Sequence, residues 1–160
     1  RRKFDPYWKK YYCLGEGYNY LLPHLLGAVA RAQIEKFEKS ILKKKISLEK
    51  NYEKIFKTNE MKITQKVPKN FKSVYWLNSV YFKKKSINGV REIGKFLEKN
   101  GIEVRSGFWP LNKLNNFNSK YVGSEKVSEM IFNKILVLPS NLNIKYKDVL
   151  YFKKIVEKKL

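Results

Sequence analysis

Of the side chains that ordinarily carry chemistry, this 160-residue sequence holds one cysteine, Cys13, and one histidine, His24. Together they fall short of the roughly four Cys/His ligands of a structural zinc site, and a lone thiol closes no internal disulfide. Zinc modules and disulfide scaffolds are therefore excluded. The sequence contains no Walker loop, dinucleotide-binding glycine fingerprint, HExxH helix or GxSxG elbow. What it has in abundance is positive charge, 35 Lys+Arg against 14 Asp+Glu, a net +21. Lys and Arg displace counterions condensed on phosphate, so a nucleic acid or an anionic surface is one implied partner. Only five of the basic residues are Arg (Arg1, Arg2, Arg31, Arg91, Arg105), although specific phosphate recognition favours the planar guanidinium. The lysine runs at Lys43 to Lys45 and Lys83 to Lys85 are short, and the chain is rich in Asn, Ile, Tyr and Phe. That mixture is what AT-rich codon usage leaves on solvated faces. A solvated surface is the preferred reading of the charge, and polyanion binding the alternative.

The elements that must position any site are legible from periodicity. The length fits one domain or two small subdomains, and 43% hydrophobic residues suffice for a core. The longest weakly polar stretch, Leu21 to Ala30, is half the roughly 20 residues of a membrane span and contains Pro23 and His24. With no membrane helix and no secretory signal visible, the expected location is the cytoplasm. Residues 1–20 carry seven aromatics without a period and read as an ordered loop. From Leu22 the spacing of Leu25, Leu26, Val29, Ile34, Phe37, Ile41, Leu48, Tyr52 and Ile55 predicts one long amphipathic helix from Pro23 to Lys57. Pro23 suits its first turn, and Glu35/Lys39 and Lys45/Glu49 are spaced for surface pairing. Thr58 to Asn70 reads as a connector. Val74 to Phe82 alternates like a strand, and Asn88 is placed to cap a helix running to Lys99, stopped by Asn100-Gly101. A strand at Ile102 to Arg105 follows. Next come a helix from Ser124 to Asn133 with Val127, Met130 and Ile131 apolar, a buried strand at Ile135 to Leu138, and a helix from Lys145 to Lys159. The expected fold class is α/β, with helices against one sheet.

Short segments in a fixed order narrow the chemistry. Leu14-Gly15-Glu16-Gly17-Tyr18-Asn19-Tyr20 and the helix Leu25 to Glu35, with its Ala32-Gln33-Ile34-Glu35, resemble the G-Y-N-Y-R segment and following helix of the DegT/DnrJ/StrS sugar aminotransferases. Downstream, Tyr75-Trp76 opens a strand. Gly101-Ile102-Glu103-Val104-Arg105 is similar to the family's G-I-E-T-R, Phe108-Trp109-Pro110-Leu111-Asn112 to its F-x-P-L-H, and Leu138-Pro139-Ser140 to its L-P-S. Four ordered matches across nearly the whole chain are far more specific than any one of them.

The resemblance implies a pyridoxal-phosphate enzyme of fold type I. On that basis residues 1–57 form a cofactor-proximal loop and a long linking helix, and residues 58–160 the small C-terminal α/β domain. The implied reaction takes nitrogen from glutamate or glutamine and delivers it to a keto group of a nucleotide-linked sugar. A homodimer is also implied, in which Asn19, with Tyr18 beside it, reaches the phosphate of the neighbouring subunit's cofactor. Arg105, Trp109 and Asn112 are the implied substrate-side residues; packing in the core is the alternative for Trp109, and a structural salt bridge for Arg105. Leu21 stands where the family has Arg, and Asn112 where it often has His, which weakens charge and proton transfer at those positions. His24 reads as a polar residue of the first helical turn. The family's Schiff-base lysine lies upstream of the matched part. Lys10 precedes Gly15-Glu16-Gly17 but lacks the serine-containing lead-in, and reads as a surface lysine. The chain is therefore expected to be the C-terminal portion of such an enzyme and inactive alone. Two other readings stand beside it. One is a basic nucleic-acid-binding module using Lys43 to Lys45; the other is a truncated fragment that folds poorly because apolar positions near Leu21, Leu22 and Leu25 lack their covering surface.

Overall fold

The computed structural model describes residues 17–18, 20–63, 67–114 and 126–160. Helix α1 (His24–Lys36) runs through a π-helical segment (Phe37–Ile41) into α2 (Leu42–Phe56). Then follow β1 (Met61–Ile63), β2 (Asn78–Phe82), α3 (Ile87–Lys99), β3 (Arg105–Ser106), a 3-10 turn (Leu111–Lys113), α4 (Lys126–Lys134), β4 (Ile135–Leu138) and α5 (Tyr146–Glu157). The strands form one sheet in the order β1-β2-β4-β3, antiparallel at every step. Strands β2 and β3 point the same way, as the ends of a strand-helix-strand unit should, but the last strand in sequence is inserted between them. This is the α/β class expected.

Alternation in β2 buries Asn78, Val80 and Phe82 while Ser79 and Tyr81 stay half-buried. Against that inner face α2, α3 and α5 deliver Tyr52, Phe56, Ile93, Leu97, Val149 and Val156, all nearly inaccessible to solvent. Strand β4 is buried along its whole length, as a short apolar run bounded by Pro139 implies.

The first half of the long helix is uncovered. No residue of α1 is buried: Leu25, Leu26, Val29 and Ile34 are exposed, as is Leu22 just before it. The buried stripe is confined to α2, at Leu48, Tyr52, Ile55 and Phe56. The surface pairs differ from expectation. Glu35 binds Arg31 at 3.2 Å, and Lys45 turns away from Glu49 toward backbone carbonyls.

Local signals explain the smaller shifts. Ser86, not Asn88, caps α3, its Oγ accepting from Gly89 N–H at 3.2 Å; a cap must precede the third helical residue it serves. Gly101 takes φ +76°, the left-handed stop expected after Asn100. Strand β2 starts late because Tyr75 adopts φ +47°, which no strand accommodates. Strand pairing begins only at Arg105 in β3, although Ile102 and Val104 before it are buried. In α4 Phe132 is the buried residue, while Val127, Met130 and Ile131 are exposed. The connector holds β1, three residues paired with β2 and started by a turn in which Thr58 Oγ1 accepts from Glu60 and Met61 N–H.

Candidate functional site

The end of β4 is where the matched segments meet. Leu138-Pro139-Ser140 leaves the sheet beside the start of β2 and is held by side chains far away in sequence. Tyr52 OH donates to Pro139 O at 2.8 Å, and Lys45 Nζ donates to Ser140 O at 2.6 Å and to Trp76 O at 3.2 Å. Ser140 Oγ accepts from both the backbone N–H and Nδ2 of Asn78, each at 3.0 Å, and donates to Leu138 O at 3.1 Å. One serine hydroxyl thus joins β2 to β4 while two side chains of α2 tie the helix to the same loop.

Burial shifts the groups in this clamp. It lowers the Lys45 ammonium and raises the Tyr52 phenol, with the charges of Glu49 and Asp148 adding to the rise. It also raises the Glu49 carboxyl to about 7, with help from Glu53. Among the described residues, Glu49 Oε2 and Asn78 Oδ1 have no hydrogen-bond partner.

Outside the clamp lies a groove of about 380 Å³ lined by Trp76, Leu77, Glu103, Arg105 and the stretch from Val137 to Asn141. Arg105 Nη2 pairs with Glu103 Oε1 at 3.2 Å, both side chains well exposed. The Trp76 ring, 65% exposed, leans on the exposed Phe108 ring at 6.3 Å between centroids and 36° between planes.

Of the candidate site residues that the structure describes, Arg105 lines this groove. Trp109 is half-buried with its ring 4.8 Å from that of Phe132. Asn112 is half-buried in the 3-10 turn, and His24 is exposed as the first residue of α1. Tyr18 is 79% exposed at the other end of the chain; Asn19 and Lys10 lie outside the described residues. Sequence reasoning missed the exposure of Trp76. Its parity with Val80 and Phe82 argues for the buried face, and the left-handed Tyr75 takes it off the strand.

A pyridoxal-phosphate site needs a lysine amine, a carboxylate for the ring nitrogen and phosphate donors in one place. Lys45 is only partly buried and gives its protons to two carbonyls. The described residues therefore do not by themselves fit the cofactor. Nor do they bring together three or more His, Cys, Asp or Glu able to hold a metal ion. No helix among them is long and apolar enough to cross a membrane.

Helices packed on a small antiparallel sheet give a mixed α/β fold that matches fold-type I pyridoxal-phosphate aminotransferases. The chain belongs to the DegT/DnrJ/EryC1/StrS aminotransferase family, whose model matches residues 1–157. Its fold is similar to that of Helicobacter pylori PseC, an aminotransferase involved in the biosynthesis of pseudoaminic acid (21% identity, TM-score 0.73, covering 91% of this chain and 39% of that one). S. venezuelae DesV is similar over 93% of this chain and 39% of its own, at 18% identity and TM-score 0.72. Spr1654 of Streptococcus pneumoniae in its PMP form matches over 85% of this chain and 35% of its own, at 17% identity and TM-score 0.73; a PLP form is known as well. Pyridoxal phosphate is accordingly the family's cofactor. The chain spans well under half the length of these neighbours. No curated protein matches it by sequence.

Proposed function

We propose that this chain is the small-domain portion of a pyridoxal-phosphate-dependent aminotransferase that moves nitrogen from glutamate or glutamine to a keto group of a nucleotide-linked sugar. The observation that carries the reading is convergence: within a family match over residues 1–157, the segments containing Trp76, Glu103 to Arg105 and Leu138 to Ser140 line one groove. In this reading a homodimer forms in the cytoplasm, Tyr18 and Asn19 face the partner's cofactor phosphate, and Arg105, Trp109 and Asn112 lie on the substrate side. Residues 1–57 are then the cofactor-proximal loop and linking helix and residues 58–160 the small domain, against which α2 packs Leu48, Tyr52, Ile55 and Phe56.

By itself the chain forms no Schiff base and transfers no amino group. Treating it with pyridoxal phosphate and borohydride should leave its intact mass unchanged; stoichiometric labelling of one lysine, Lys10 included, would overturn this. Reading the coding sequence upstream of Arg1 tests the rest: a frame that joins a lysine-bearing segment should yield a product that aminates a nucleotide-linked keto sugar. A joined product without that activity would remove the functional reading. The nucleic-acid alternative loses one of its residues, since Lys45 already serves Trp76 O and Ser140 O.

A further inference from the structure

We propose that the groove at the end of the sheet is a subsite for a neutral sugar ring, with the face of Trp76 as its platform and the Glu103–Arg105 pair and Asn141 as the hydroxyl-binding wall. This deepens the proposed function and rests on it for the choice of a sugar among hydroxylated rings.

Three features point to that ligand. First, a large indole is held outside the core on a fixed backbone. Its carbonyl is bound by Lys45, the preceding Tyr75 sits at φ +47°, and Phe108 braces the ring from one side. A positive φ at a non-glycine residue costs on the order of 1–3 kcal/mol and persists only where surrounding structure enforces it. Flat aromatic faces accept the weakly positive C–H face of a saturated ring.

Second, the charge in the groove is balanced locally. Arg105 is already paired with Glu103 at 3.2 Å, so a phosphate or carboxylate would meet a carboxylate as well as a guanidinium. Vicinal hydroxyls suit both partners at once, because a hydroxyl donates to the carboxylate and accepts from the guanidinium. Asn141, also on the lining, carries both a donor and an acceptor.

Third, the size fits. About 380 Å³ lies at the small end of ligand sites, roughly 300–1,000 Å³. Trp109 packs on Phe132, and the exposed Trp76 is the indole that lines the groove.

The test titrates the 160-residue chain with the methyl glycoside of N-acetylglucosamine, with acetate and with inorganic phosphate, following by NMR the backbone amides of the groove residues Leu138, Ser140 and Asn141 and, in the parent chain, the Trp76 indole. The glycoside should shift these signals saturably, and acetate and phosphate should not. Trp76→Ala should weaken glycoside binding at least tenfold, equivalent to about 1.4 kcal/mol, and Glu103→Gln severalfold. Both side chains are exposed, so the variants should fold as the parent does, which the remaining NMR spectrum checks. Phosphate or acetate shifting the groove signals as strongly as the glycoside would make this an anion site and overturn the proposal. So would glycoside binding indifferent to Trp76→Ala, or none at all. Failure of the amination assay with glycoside binding intact would remove the aminotransferase reading and leave the groove. Amination with a KM for the keto sugar unchanged by Trp76→Ala would do the reverse.

Discussion

Helices α1 and α2 are two halves of one continuous rod, both written with apolar residues at helical spacing, and they meet opposite fates. Helix α2 buries Leu48, Tyr52, Ile55 and Phe56, whereas α1 buries nothing. The difference lies in what returns to cover them: β1, β2 and α5 come back to pack on α2. Between the halves the π segment takes up more residues per turn than an α-helix, which rotates one stripe relative to the other. A periodic apolar stripe establishes that a helix has a face to bury; it does not establish that the same chain supplies the cover.

The contrast can be broken most directly at its extremes. Phe56→Ala should cost about 3–5 kcal/mol in urea unfolding, while Leu25→Ser should stay within about 0.5 kcal/mol. A comparable loss at Leu25 would mean that α1 is covered after all.

The next largest effect is expected at Glu49, a carboxyl buried on the packed half. Its folded value of about 7 lies above the ordinary 4.5, so between those values the folded chain keeps a proton that the unfolded chain releases. Stability linked to this group is fullest below pH 4.5, declines as pH rises and reaches its floor above 7, a penalty of about 3 kcal/mol. Glu49→Gln should therefore raise the urea midpoint at pH 8 and flatten its slope between pH 5 and 7. Smaller again, Tyr52→Phe removes the donor to Pro139 O and should cost about 1–2 kcal/mol.

The finest probe is the joint itself. Deleting Lys39 from the π segment should leave stability within about 0.5 kcal/mol, because neither its own turn nor α1 is buried. It would re-aim α1 and, in a product joined to a lysine-bearing segment, lower amination sharply. A large stability loss would instead show that the arm is part of the packed unit.

How much was readable follows the same division between local and distant causes. Strand β4, the Gly101 stop and the extent of α5 rest on residues within a few positions of one another, and sequence reasoning placed them well. Strand β1 exists because β2 pairs with it, and three residues carry too little pattern to announce that. The clamp around Ser140 joins Lys45 and Tyr52 to a loop 95 and 87 residues away, which no spacing rule reaches. Ordered motifs did reveal the family, yet they did not announce that Trp76 stands exposed at the groove, because motif position carries no side-chain direction. The groove itself needed the late start of β2, set by one backbone angle at Tyr75.

The position of β4 has a bearing on how the chain assembles. Among the described residues, 135–138 form the last strand in sequence and the one that links β2 to β3. Hairpin-like pairing of β1 with β2 closes early, but β2 and β3 must hold their inner edges open until Leu138 has emerged. Pairings that close loops this long slow folding, and unpaired edges invite association meanwhile. Synthesis arrested before Leu138 should therefore yield a chain whose sheet stops at the β1-β2 pair with the other edge of β2 exposed, and residues 135–160 act as the keystone that completes it.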